Sequence, residues 1–337
     1  MPSGRCPNLR VRPTRALLSL MRVVFIGTGD IGIPVLGRLL GSPEHHVLAC
    51  VTQPDKPAGR RQELQASAVK QLALQHHVPI FQPARIRDRS AIEQLRYLRP
   101  DVILVIAYGQ ILPGEILRIP SIACLNLHAS LLPRHRGAAP IHAAIMSGDR
   151  QTGITVMYMD EGLDTGDILL VRPLTIRRRE TTGTLHDRLA ELAPEALREA
   201  LVLLKQGRAP RIRQDAALAT YAPKLSREDG EIVWDTTRDE IDRKIRAMNP
   251  WPAAYTWLPT PDGPRKLKVF SCIQHRRQFG SAGQVVRADK QGLLVAAREG
   301  AVLLREVQLE GKKRMSARDF LLGTLVGPGT ILGARAE

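Results

Sequence analysis

The sequence predicts an α/β protein: a mostly parallel β-sheet with helices on both faces, followed by a smaller β-barrel. Three observations predict it. Short apolar runs alternate with helix-length stretches as far as Lys205, which implies right-handed crossovers between parallel strands. The first run ends in a glycine turn, the mark of a buried strand entering a tight bend. After Gly207 the pattern changes to short alternating segments separated by turn residues, as in a small barrel or sandwich. The 337 residues are also more than one domain usually needs.

Taken in order, Arg22–Ile26 reads as the first strand and a helix follows to Leu40. Then come a strand over His46–Thr52, a helix over Ala66–His76 and a strand over Val78–Phe81. A helix over Ser90–Leu98 and strands over Val102–Ala107 and Ile122–His128 continue the alternation. Strands over Ile154–Met159 and Leu169–Thr175 precede a long helix, Thr181–Lys205. The domain division is 1–20 as an extension, 21–206 as the first domain, 207–225 as a basic, proline-containing linker, and 226–337 as the second domain. That second domain holds one helix, Arg238–Met248, and strands within Lys266–Ile273, Gln284–Val286 and Leu293–Leu309. Residues 1–20 carry arginines, no acid and a short apolar stretch, superficially like a targeting signal. Arg22 cuts that stretch, no small-residue cleavage site follows, and Met21 directly precedes the first strand. We therefore read 1–20 as a disordered, non-structural extension.

Composition narrows the classes. Hydrophobic residues at 44% and charged residues at 24% exclude a mainly disordered chain. Four scattered cysteines, Cys6, Cys50, Cys124 and Cys272, exclude a disulfide scaffold and a cysteine-type zinc module, and fit a reducing, cytoplasmic setting. No run of about 18 apolar residues occurs, so no membrane-spanning helix is expected. The formal net charge of +16 points to a polyanionic partner, nucleic acid or an anionic surface.

Gly27-Thr-Gly29-Asp-Ile-Gly32 satisfies the dinucleotide fingerprint by spacing. A nicotinamide site also wants an acid at the end of the second strand. That strand ends Thr52-Gln53-Pro54, and the nearest acid, Asp55, falls beyond the proline. Tight strand-to-helix packing is the better reading, with nucleotide binding as the alternative.

The strongest chemical signal lies between residues 122 and 167. The period of two places Cys124, Asn126 and His128 on one face of a strand, with Ala123, Leu125 and Leu127 on the other. An amide beside an imidazole at the carboxyl end of such a strand sits where these sheets bind ligands. Alone, the pair equally suits a hydrogen-bonded polar edge. Ser130–Pro140 then combines an apolar shelf, the side chains of Arg134, His135 and Arg136, and a proline able to open a helix. Met159–Asp167 is an acid-rich loop that can bring Asp164 to His128, where a carboxylate orients an imidazole and favours its protonated form. Asp160, Asp164 and Asp167 as calcium ligands or plain turn-formers are the alternatives, and their spacing does not fit an EF-hand.

The run Asn126-Leu-His128-Ala-Ser-Leu-Leu-Pro-Arg-His-Arg-Gly-Ala-Ala-Pro140, with Gly162-Leu-Asp164-Thr-Gly-Asp167, closely resembles the 10-formyltetrahydrofolate-dependent formyltransferase family. The resemblance covers essentially all of 21–337. Gln53–Arg61 resembles the tRNA-contacting loop of the members that formylate aminoacylated tRNA, and Pro223–Ser226 and Ala247–Pro252 resemble the start of their second domain. It implies a Rossmann-like catalytic domain and an OB-like tRNA-binding domain. The implied reaction moves the formyl group of 10-formyltetrahydrofolate to the α-amine of methionine on initiator Met-tRNA, supporting translation initiation. Asn126 and His128 would stabilise the oxyanion of a tetrahedral intermediate, and Asp164 would hold His128 and help take the amine proton. Imidazole suits proton transfer because its ordinary pKa, about 6.5, lies near working pH. The folate would lie against Ser130, Leu131, Leu132 and Pro133, and tRNA against Lys56, Arg60 and Arg61. Arg208, Arg211, Arg213 and Lys312–Arg314 are weaker candidates for the same basic track. No metal is implied, and a monomer is expected. Relatives that formylate a nucleotide sugar or glycinamide ribonucleotide share the triad; the basic loop and second domain weigh against them. The third glycine of the first turn departs from the usual family pattern.

Overall fold

The computed structural model describes residues 20–58, 63–277 and 279–333. They form two compact units, one running to Leu125 and including Arg198–Ala209, the other holding Asn126–Leu197 and the chain from Pro210 onward.

The first unit contains β1 (Met21–Gly27), α1 (Ile33–Leu40), β2 (His45–Val51), β3 (Lys56–Ala58), β4 (Glu63–Gln65), α2 (Ala68–Gln75), β5 (Ile80–Phe81), α3 (Arg89–Leu98), β6 (Val102–Ile106) and α4 (Gly114–Leu117), and ends within β7 (Ala123–His128). Strand order is β5-β2-β1-β6-β7, and β1 runs parallel to both β2 and β6. β6, Val-Ile-Leu-Val-Ile, is buried throughout, the continuous apolar run of a strand covered on both faces. The glycine turn after β1 is a packing device. A Cβ at Gly27 would stand 2.8 Å from the Ile106 carbonyl oxygen, and one at Gly29 would stand 2.9 Å from Ala107 Cβ. Asp55, the acid weighed for a nucleotide, receives Lys70 Nζ at 2.6 Å and Gln82 Nε2 at 2.8 Å. Those bonds hold its carboxyl below the ordinary range. The stretch from Lys56 to Gln65 that reads as a loop contains the antiparallel pair β3–β4.

The second unit continues with β8 (Arg136–Gly137), α5 (Pro140–Met146), β9 (Gln151–Tyr158), β10 (Ile168–Thr175), α6 (Thr182–Lys205), β11 (Tyr221–Ala222) and α7 (Arg238–Ala247). β9 neighbours β7, and β10 pairs antiparallel with β9, so the sheet is mostly rather than wholly parallel. Gly153 permits that pairing: a Cβ there would overlap the Arg172 carbonyl oxygen and stand 2.7 Å from Leu131 Cδ2. α7 opens with a capping box in which Thr237 accepts from Glu240 N and the Glu240 carboxylate accepts from Thr237 N. Its far end meets the start of α6, where Thr182 Oγ1 donates to the Ala247 carbonyl at 2.6 Å.

The remaining strands are β12 (Ala254–Leu258), β13 (Arg265–His275), β14 (Val285–Asp289), β15 (Gly292–Ala296), β16 (Ala301–Leu309) and β17 (Met315–Ser316), followed by α8 (Ala317–Gly323). They form an antiparallel sheet in the order β12-β13-β16-β15-β14, with β17 on β16. Register shifts between Val269 and Cys272 bend the long β13, as bulges do, and curl the sheet into the OB-like module. Leu267 and Val269, Leu293 and Val295, and Leu304 and Val307 fill its core. Trp234 is buried with them and donates Nε1–H to Thr256 Oγ1 at 2.8 Å. The stretch Leu293–Leu309 holds two strands, and Gly300 at φ +80° closes the turn between them in a conformation that favours glycine.

Two outcomes test this packing. Gly153→Ala should lower stability by at least about 1 kcal/mol in urea unfolding, since the β9–β10 pair must open to admit the methyl group. His142 on α5 donates to the Trp251 carbonyl. Burial pushes its imidazole below 6.5; the Trp251 carbonyl opposes this and His186 adds to it. The unfolded chain therefore binds more protons below that value. This part of the stability is present above pH 6.5 and lost as pH falls through the folded-state pKa. Between about pH 7.5 and about pH 5.5, the urea midpoint of His142→Gln should fall less than that of the parent.

Candidate active site

The site is built at the carboxyl end of β7, where period two turns Asn126 and His128 to one face and Leu127 to the other. Asn126 is half-buried, while His128 is only 6% exposed. His128 Nε2 lies 2.9 Å from the carbonyl oxygen of His135. A carbonyl only accepts, so Nε2 carries a hydrogen and donates it there. The nitrogen left to gain or lose a proton is Nδ1, which faces Asp164 Oδ2 at 3.6 Å. The sequence-based expectation that His128 donates to an oxyanion thus meets a ring whose Nε2–H is already committed.

Asp164 is gripped from two sides. Its Oδ2 accepts from Gly137 N at 2.8 Å and its Oδ1 from Asn126 Nδ2 at 3.3 Å. Its backbone is left-handed at φ +53°, a conformation that Asp tolerates better than most residues. The loop is shaped locally by Asp160, whose Oδ1 accepts from Gly162 N and Thr165 Oγ1. A side chain at Gly166 would overlap the Tyr158 carbonyl oxygen. The acids weighed as calcium ligands diverge: Asp160 caps its own turn, Asp164 faces Gly137, and Asp167 faces Arg211 at 3.7 Å. Among the described residues no group of three or more His, Cys, Asp or Glu side chains is arranged to hold a metal ion.

The His135 carbonyl is itself held in place. His135 is 5% exposed and left-handed at φ +59°. Its N–H donates to Thr220 Oγ1 at 2.8 Å, and its Nε2 meets Asp149 Oδ2 at 2.8 Å. Asp149 also accepts from Arg134 Nη2 at 2.7 Å. The four residues expected to hold folate split into two pairs. Ser130 is enclosed, donating Oγ–H to the Arg134 carbonyl, and Leu132 packs with Met157 and Ile168. Thr155 Oγ1 ties the segment down by donating to Ser130 O and accepting from Leu132 N. Leu131 and Pro133 are half-buried.

Sequence reasoning missed Gln214. Its Nε2 donates to the carbonyls of Asp164 and Gly166 at 2.9 and 2.8 Å, within the stretch taken as a linker. In the same stretch Ile212 bridges Ile168 and β11 pairs with β8. No local pattern marks these contacts, which join residues far apart in the chain. Of the expected tRNA contacts, Lys56 is exposed on β3, and Arg60 and Arg61 lie outside the described residues. Arg211 stacks on the Tyr158 ring at 3.7 Å, and Arg314 pairs with Glu306 at 2.6 Å and lies over Phe270. No helix among the described residues is long and apolar enough to cross a membrane.

Residues 21–201 match the model of the formyl transferase family, and residues 224–325 that of the formyl transferase C-terminal domain. The methionyl-tRNA formyltransferase of Methylacidiphilum infernorum is 50% identical over 319 residues, spanning 94% of this chain and all of that protein. That of Geotalea uraniireducens is 46% identical over 315 residues, 94% of this chain and 99% of the relative. Among solved structures, methionyl-tRNA formyltransferase from Clostridium thermocellum shares the fold with a TM-score of 0.51 at 20% identity, covering 75% of this chain and 93% of that one. With both halves of the chain matched and the relatives matched over almost their whole length, this chain is an enzyme of the formyl transferase family and belongs among its methionyl-tRNA formyltransferases.

Proposed function

We propose that the chain transfers the formyl group of 10-formyltetrahydrofolate to the α-amine of methionine on initiator Met-tRNA, in the cytoplasm and as a monomer, in support of translation initiation. The observation that carries the reading is the Asn126–His128–Asp164 cluster in a chain whose second half also matches the tRNA-formylating relatives. The folate supplies the formyl group. The amine nitrogen bonds to the formyl carbon, the bond from that carbon to N10 breaks, and one proton passes from the amine to N10.

The half-buried Asn126 amide is the group able to donate to the formyl oxygen as negative charge develops there. His128 contributes through Nδ1, because its Nε2–H is held by His135. A proton reaching Nδ1 is stabilised by the Asp164 carboxylate 3.6 Å away, so the pair can take the amine proton and pass it on. Gly137 and Asn126 keep that carboxylate aimed, which favours proton transfer in a fixed geometry. The residues suit a flat, partly apolar donor. Leu131 and Pro133 offer the exposed part of the shelf, while Ser130 and Leu132 support it from beneath. Residues 21–206 would carry the chemistry, 207–225 the link, which also braces the Asp164 turn through Gln214, and 226–337 the tRNA-binding module, with Lys56, Arg60 and Arg61 meeting phosphates.

Two measurements check this. With charged initiator tRNA and 10-formyltetrahydrofolate the parent should transfer formyl, while His128→Ala should lose about 10²–10³ in rate and keep tRNA binding. Absence of transfer by folded parent protein would sink the proposal. Lys56→Ala should weaken tRNA binding, reduce its salt dependence by about one phosphate contact, and leave kcat at saturating tRNA unchanged. A binding titration at several salt concentrations reads both effects.

A further inference from the structure

We propose that Gln214 is a positioning residue for Asp164, held in a single orientation by the buried guanidinium of Arg136. The inference rests on the role given to Asp164 above. Arg136 is 4% exposed, and among the described residues its guanidinium meets no carboxylate. Its Nε and Nη2 both donate to Gln214 Oε1, at 3.1 and 2.7 Å. A guanidinium has five donors and no acceptor, so only the oxygen of the amide can face it. The Gln214 NH₂ must then point the other way, where it donates to the carbonyls of Asp164 at 2.9 Å and Gly166 at 2.8 Å. Every hydrogen-bonding site of this buried amide is thereby used, and a flipped amide would set four contacts wrong at once.

The two carbonyls flank Thr165 and span the turn in which Asp164 is left-handed. The amide therefore bridges the backbone that aims the carboxylate. Gly137, the neighbour of Arg136 on β8, donates to the carboxylate itself. One short strand thus grips Asp164 twice, directly at its side chain and through Gln214 at its backbone. Burying an arginine without a carboxylate carries a desolvation cost that filling space alone does not require. Orientation of the amide is what the arginine supplies.

Gln214→Glu separates this role from a merely structural one. The glutamate keeps an oxygen on Arg136 and gains an ion pair that offsets the two lost amide hydrogen bonds, so the protein should still fold, with a melting temperature at or somewhat below that of the parent. Its second oxygen has no hydrogen for the Asp164 and Gly166 carbonyls, repels them and releases the turn. The expected result is a kcat lower by about 10- to 100-fold, an altered pH profile of kcat, and KM values for both substrates within about twofold of the parent. Asp164→Asn runs beside it. Parent-like kcat and pH profile in Gln214→Glu, with activity lost in Asp164→Asn, would overturn the positioning role while leaving Asp164 in place. Parent-like activity in Asp164→Asn would overturn the reading of Asp164 and this inference with it. If Gln214→Glu does not fold, Arg136→Lys carries the test. It keeps the charge but loses the fork that holds the amide, so kcat should fall several-fold at unchanged KM, and a parent-like kcat overturns the proposal.

Discussion

The bond from His128 Nε2 to the His135 carbonyl is the interaction on which the rest of the site depends. It decides which nitrogen carries a fixed hydrogen, and so which one is left to face Asp164. The ring is almost fully enclosed, and a buried donor without an acceptor would be costly, so the carbonyl cannot be moved without moving the ring. The chain invests in that carbonyl accordingly. His135 sits in a left-handed conformation, its N–H goes to Thr220, and its own ring is tied to Asp149. The His128 imidazole is oriented by the backbone of a second histidine whose side chain serves as an anchor.

A consequence is that the carboxylate and imidazole are held where they meet, while Asn126, Leu131 and Pro133 are half-buried beside them. The turn carrying Asp164 has no room for side chains at Gly162 or Gly166, and Asp160 closes it from within. Preorganised groups of this kind need no rearrangement as charge develops, which is the larger part of what such a site contributes.

Local physics made much of this readable in advance. β1 and β6 announce themselves as apolar runs because they are covered on both faces, and Asn126 and His128 share a face by the arithmetic of the pleat. The meeting of Asp164 with His128 could be anticipated only as an option of a flexible-looking loop, since nothing local specifies a left-handed Asp. Gln214 was beyond reach, for a glutamine in a polar stretch carries no periodic signal and its partners lie far away in sequence. Charge was legible in sign but not in use. Arg188 pairs with Glu180, Arg211 lies over Tyr158 and Arg314 pairs with Glu306, contacts that the composition alone does not reveal.

The segment from Ile212 to Ala222 looks like a tether and is wired like a framework element, bridging Ile168, clamping the Asp164 turn and pairing with β8. The boundary visible in the amino-acid pattern is therefore not a seam along which the molecule can be cut. A fragment ending after the long helix would keep all three polar residues at the heart of the site, yet lack the stretch that shapes them. Genetic fusions or shuffled chimaeras that exchange the carboxyl-terminal module would need to join beyond β11, carrying this strap along with the catalytic half.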